Sequence, residues 1–238
     1  MNMTEFLNAH PEEDGRKENT EEGLVARHDA QSAKTHELMA ANPSLSFLSA
    51  FVIAGDVLAS ERSKRWVELG LDAREAMGFV GSYARLDFAL WAVTEGHMDR
   101  AVLIDVLPGL WRGSDPDDTD PRFLSLWEEA RKQHGGVILD DEDKPLPVHT
   151  DRYGDPWLVL YRGQLSLDGE GIAWTTDYAI ARKFSSSGGL RGVNRVGHVL
   201  ARWAHPADAL AYLTGRSESE VVIDPANLFD TEPEWPQP

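Results

Sequence analysis

The chain has 238 residues, with 40 Asp and Glu against 23 Lys and Arg for a formal charge of -17, and it contains no cysteine. The missing thiols exclude disulfides, thiolate metal sites and cysteine nucleophiles, and the negative balance opposes non-specific binding to nucleic-acid phosphates or anionic lipid. With 42% hydrophobic residues and eight tryptophans, the chain reads as a soluble globular protein, long enough for one large domain or two small ones.

Residues 1–35 are polar and acid-rich, with Glu12-Glu13-Asp14 and Glu21-Glu22, and predict a loosely ordered segment or a surface helix. No secretory pattern opens the chain. The longest apolar run, Leu45 to Leu58, carries Asp56 and falls short of the roughly 20 residues a membrane span needs, so a cytoplasmic protein without membrane contact is expected. Residues 36–134 read as helical. Ser44 is placed to cap a first helix whose Leu45, Leu48, Val52 and Gly55 share a face, and a second helix carries Trp66 and Leu69. Asp72-Ala73-Arg74-Glu75 reads as a capping box that opens a third, with Met77, Val80, Ala84, Phe88 and Trp91 at helical steps and Gly96 at its end. Met98 to Leu107 predicts another helix, stopped by Pro108-Gly109.

The aspartate-dense stretch Gly113 to Pro121 lacks the glycine and closing glutamate of a calcium loop, so no metal is expected there. Asp120-Pro121 instead reads as the start of a helix carrying Phe123, Leu126 and Trp127 and ending at Gly135-Gly136. The period then changes. Val137-Ile138-Leu139 and Leu146 to His149 predict a hairpin around an acidic turn, with Pro145 and Pro147 making its second arm an edge. Strands follow at Trp157–Tyr161, Ile172–Thr175, Val196–Trp203, near Leu210 and at Glu220–Ile223, interrupted by a helix from Tyr178 to about Phe184. Helices first and strands afterwards give an α+β architecture: a helical region at 36–134, a core at 135–228 and an acidic, proline-rich tail at 229–238.

From Tyr178 through Ala207 there is no acidic residue, whereas Arg182, Lys183, Arg191, Arg195 and Arg202 are present beside the loop Ser185-Ser186-Ser187-Gly188-Gly189. Such a stretch suits phosphate groups or simply balances acidic neighbours. It fits neither the dinucleotide nor the P-loop fingerprint. Three short signatures stand at strand edges: Tyr161-Arg162-Gly163, Trp174-Thr175-Thr176-Asp177 and Glu218-Ser219-Glu220. Taken in order they resemble the R-S-E group of mono-ADP-ribosyltransferases, with threonine for serine at the second signature and aspartate for its last hydroxyl. The resemblance covers roughly Val137 to Pro225 and implies a compact split β-sandwich behind an amino-terminal helical layer.

The resemblance implies that the chain is an enzyme using NAD as substrate and cleaving it between nicotinamide and ribose. Arg162 would hold the pyrophosphate through its forked donors, and Gly163 would let the backbone approach the carboxamide. Thr175 would hydrogen-bond Glu220, which stabilises positive charge on the sugar. Trp174, Thr176 and Arg191 complete the implied NAD-binding set. Phe184 is suited to stacking on nicotinamide, although core packing is the stronger expectation for it. Glu218, two residues ahead of the catalytic carboxylate, resembles arginine-modifying members, so a protein arginine is the implied acceptor; an extended loop would put both glutamates on one side. A nucleic-acid base or water is the alternative acceptor, and a non-catalytic binding module is the alternative of another class.

Overall fold

The computed structural model describes residues 1–14, 20–43, 45–115, 117–141, 144–164, 170–186, 197–215 and 218–233. The chain divides into two units, Met1–Pro116 with Leu190–Gly192, and Asp117–Gly189 with Val193–Pro238. Among the described residues no helix is long and apolar enough to cross a membrane.

The first unit is helical from its beginning. Helix α1 (Met3–Ala9) closes a reciprocal capping box, in which the Glu5 amide donates to the Asn2 side chain and the Asn2 amide to the Glu5 carboxylate, both at 3.0 Å. Phe6 is fully buried, its ring 6.1 Å from that of Trp66. Helix α2 (Glu21–Ala41) runs through residue 35, so from Glu21 onward the acidic segment takes the helical alternative. Helix α3 (Phe47–Glu68) is one unbroken rod where two helices were expected. Its cap is Ser46, which accepts from the Ser49 amide; Ser44 lies outside the described residues. Its buried line includes Ser49, Ala50, Ala54, Ser60, Ser63 and Trp66, whereas Leu48 is 59% exposed. Close pairing with α2 explains the preference for small residues: Gln31 donates to the Phe51 carbonyl, and its amide lies where a side chain at Gly55 would begin.

The expected third helix is two, α4 (Ala73–Met77) and α5 (Arg85–Thr94). Asp56 of α3 intervenes between them. Its carboxylate accepts the Tyr83 amide at 3.0 Å and occupies the space that a Cβ on Gly81 would need. Helix α6 (Arg100–Arg112) passes straight through Pro108, because Leu107, Leu110 and Trp111 are buried on either side of it. Burial of that face outweighs the hydrogen bond the proline cannot donate.

In the second unit, helix α7 (Pro121–His134) starts at Asp120, whose carboxylate accepts the Arg122 amide, and stops at Gly135 with φ +83°. It packs on strands β1 (Ile138–Leu139) and β6 (Ala209–Leu213), so the division of the chain falls at residue 116 and not at 134. The remaining strands are β2 (His149–Thr150), β3 (Pro156–Gln164), β4 (Ala173–Thr175), β5 (His198–Ala204) and β7 (Glu220–Ile223), with helix α8 (Tyr178–Ser186) between β4 and β5. The order is β1-β6-β7-β4-β3-β2, with β5 also on β3. The expected hairpin between residues 137 and 149 does not form. Strand β1 pairs parallel with the fully buried β6, and β2 pairs with β3. The apolar run finds the central strand, and Pro145 and Pro147 cannot supply ladder donors.

Leu158, Leu160, Trp174, Val221 and Ile223 form the core on one face of the sheet. Strand β3 pairs with β5 from Leu158 to Gln164, yet meets β4 only at Tyr161 opposite Thr175. The sheet therefore branches at Tyr161, and that branch positions the candidate site.

Candidate functional site

The three signature-bearing strands are immediate neighbours in the order β3, β4, β7. Tyr161 pairs with Thr175, and Thr175 pairs with Glu220, so the three form one row across the sheet. Paired residues share a face and alternate residues oppose it, which puts Thr175 and Glu220 on one side and Arg162, Trp174 and Val221 on the other.

Thr175 is buried. Its hydroxyl donates to the Glu218 carbonyl at 2.5 Å and accepts the Asp177 amide at 3.1 Å. The bond expected to the Glu220 side chain is thus made to the main chain two residues earlier, and Thr175 positions the glutamate signature through its backbone. A second tie, from the Thr176 amide to the Ser219 carbonyl at 3.0 Å, fixes the same loop. Ser219 has φ +47°, a left-handed conformation that a non-glycine residue adopts at some cost. The loop is therefore not extended, and the alternation that would put Glu218 and Glu220 on one side does not apply. Both glutamates are half-buried.

Arg162 is occupied by protein. It donates to the Asp118 carboxylate in a fork (Nη1 2.5 Å, Nη2 3.0 Å), to Gln164 through Nε at 3.1 Å and to the Ala173 carbonyl at 2.7 Å. Asp118 in turn accepts the Ala173 amide at 3.1 Å, and its carbonyl accepts the Ile172 amide. The main-chain groups of Ala173 are thus satisfied by a side-chain ion pair just where β3 and β4 part. Arg162 acts as a clasp at the branch instead of presenting its fork to a diphosphate. Asp118 was missed in the sequence because, among so many aspartates, nothing distinguishes the one whose partner lies 44 residues onward.

Gly163 faces α8 and not open space. A Cβ there would lie 1.9 Å from the Ala181 carbonyl oxygen and 2.7 Å from the Ser185 nitrogen. Its lack of a side chain serves the seating of α8 on β3, not the approach of a ligand. Because both obstacles are main-chain atoms of a helix, Gly163→Ala is expected to lower stability by about 2–3 kcal/mol in denaturant unfolding.

The other expected site residues separate. Trp174 is 2% exposed, its indole donating to the Gly171 carbonyl; it is a core residue and has no face left for a ligand. Asp177 caps α8 by accepting the Ala179 amide at 2.7 Å. Phe184 is 53% exposed, contrary to the core packing expected of it, because it lies on the outer side of α8. Arg202 is taken up by Glu170 and Asp230. Arg191 lies outside the described residues.

The approach to β3 is fixed by Asp151. Burial raises its carboxyl pKa, but hydrogen bonds from the Asp155 and Tyr153 amides and the Trp157 indole outweigh this and hold it below the usual carboxylate range. Compared with protein-family models, with curated proteins and with solved structures, the chain matches none.

Proposed function

We propose that the chain is an ADP-ribosyltransferase that transfers ADP-ribose from NAD to an arginine side chain of a protein, with Glu220 as the catalytic carboxylate. The observation that carries this reading is the order of neighbours in the sheet. The strands bearing Arg162, Thr175 and Glu220 lie side by side, Thr175 pairs directly with Glu220, and its hydroxyl holds the main chain of Glu218. The branching of the sheet at Tyr161 likewise supports a split β-sandwich.

In the proposed reaction the bond between nicotinamide and ribose breaks, its electron pair leaving with neutral nicotinamide. Glu220 lies beside the positive charge that develops at the ribose carbon, where a preorganised carboxylate gives the largest stabilisation. A guanidinium nitrogen of the acceptor forms the new bond to that carbon and gives up its proton to Glu218. Arg162 takes a different part from the one the signature implies. Its fork holds the Asp118 carboxylate where the sheet branches, on the face opposite Glu220.

The test is incubation of the full chain with NAD and an arginine-rich protein, followed by mass spectrometry. The expected result is the mass of ADP-ribose added on arginine. Nicotinamide release without modified protein makes water the acceptor and the chain an NAD glycohydrolase. If there is neither release nor modification, and NAD leaves the melting temperature unchanged, the catalytic reading fails.

A further inference from the structure

On the face of the sheet that carries Tyr161, Thr175 and Glu220 there is an open cavity of about 260 Å³, lined by His149, Val159, Tyr161, Ala201, Trp203 and Glu232. The register accounts for it. Val159 pairs with Trp203 and Tyr161 with Ala201, so small and large residues alternate diagonally and leave a hollow between an indole and a phenol. Helix α8 covers the Gly163 end of this face, and its Tyr178 ring meets the Tyr161 ring edge-on with centroids 5.5 Å apart.

Aromatic faces carry negative charge density, and the rim bears the Glu232 carboxylate; neither lysine nor arginine is among the lining residues. A net charge of -17 draws basic partners towards the chain. We propose that this cavity seats the guanidinium of an arginine on a protein partner, stacked on Trp203 and donating to Glu232. A guanidinium fits better than an ammonium because it is flat enough to stack while its edge still donates. Tyr161 lies two strand spacings from Glu220, about 10 Å. On the transferase reading, on which this last step rests, the seated arginine is therefore a docking residue of the acceptor and not the one modified.

The test uses agmatine as probe and the indole N–H resonances of the full chain, with Trp203→Phe identifying the Trp203 signal. Agmatine is expected to move that signal saturably, and a neutral amide of the same length is not. Glu232→Gln, on an exposed side chain, is expected to weaken binding about tenfold. No movement, an equal response to the neutral amide, or unchanged affinity in Glu232→Gln overturns the proposal. NAD cleavage is measured in parallel. Cleavage without an agmatine response sinks the cavity proposal alone, and an agmatine response without cleavage sinks the transferase reading alone.

Discussion

Glu220→Gln is expected to slow nicotinamide release from NAD by about a hundred- to a thousandfold, the range seen when one preorganised electrostatic group is removed from a transition state. Glutamine keeps the size of the side chain and its hydrogen-bonding reach but carries no charge. The main-chain pairing of Glu220 with Thr175 and Leu213 does not depend on that charge, so the variant should melt close to the wild type. Glu218→Gln separates the two glutamates. If Glu218 accepts the proton of the acceptor, its variant loses transfer to arginine while nicotinamide release into water persists. Equal loss of both activities in both variants would show that the loop acts as one structural piece. Wild-type rates in Glu220→Gln would remove Glu220 from the chemistry.

Much of this architecture can be read from the sequence where one residue suffices to signal it. Asp120-Pro121 starts a helix, Gly96 follows the end of another, and the apolar run Val221-Val222-Ile223 after Glu220 marks a strand to the residue. The failures share a cause. Pro108 stays inside α6, Asp56 breaks the third helix from a distance, and Val137-Ile138-Leu139 joins β6 instead of a hairpin partner. In each case a contact remote in sequence overrides the local preference. The site divides in the same way. The placing of the three signatures at strand edges was legible, whereas their adjacency depended on the strand order, the engagement of Arg162 on Asp118, and the conformation of the glutamate loop on a left-handed Ser219 that no motif announces.

The clasp at the branch makes the second large prediction. The Arg162 and Asp118 side chains are 15% and 19% exposed, and together they satisfy both main-chain groups of Ala173. Gly171 permits this, since a Cβ there would overlap the Asp118 carboxylate. Asp118→Ala is expected to cost about 3–4 kcal/mol in denaturant unfolding, because it leaves a guanidinium with little solvent and an amide without its acceptor. Removing both charges removes the uncompensated one. Asp118→Ala combined with Arg162→Met should therefore cost less than the sum of the two single variants, by about 1–3 kcal/mol. Strict additivity would mean that the pair is not a clasp. The same variants report on function, because the backbone pairing of β3 with β4 at Tyr161 and Thr175 lies one residue from Arg162. If the clasp sets that spacing, Asp118→Ala displaces Thr175, loosens its hold on the Glu218 carbonyl, and lowers NAD cleavage at temperatures where the variant is still folded.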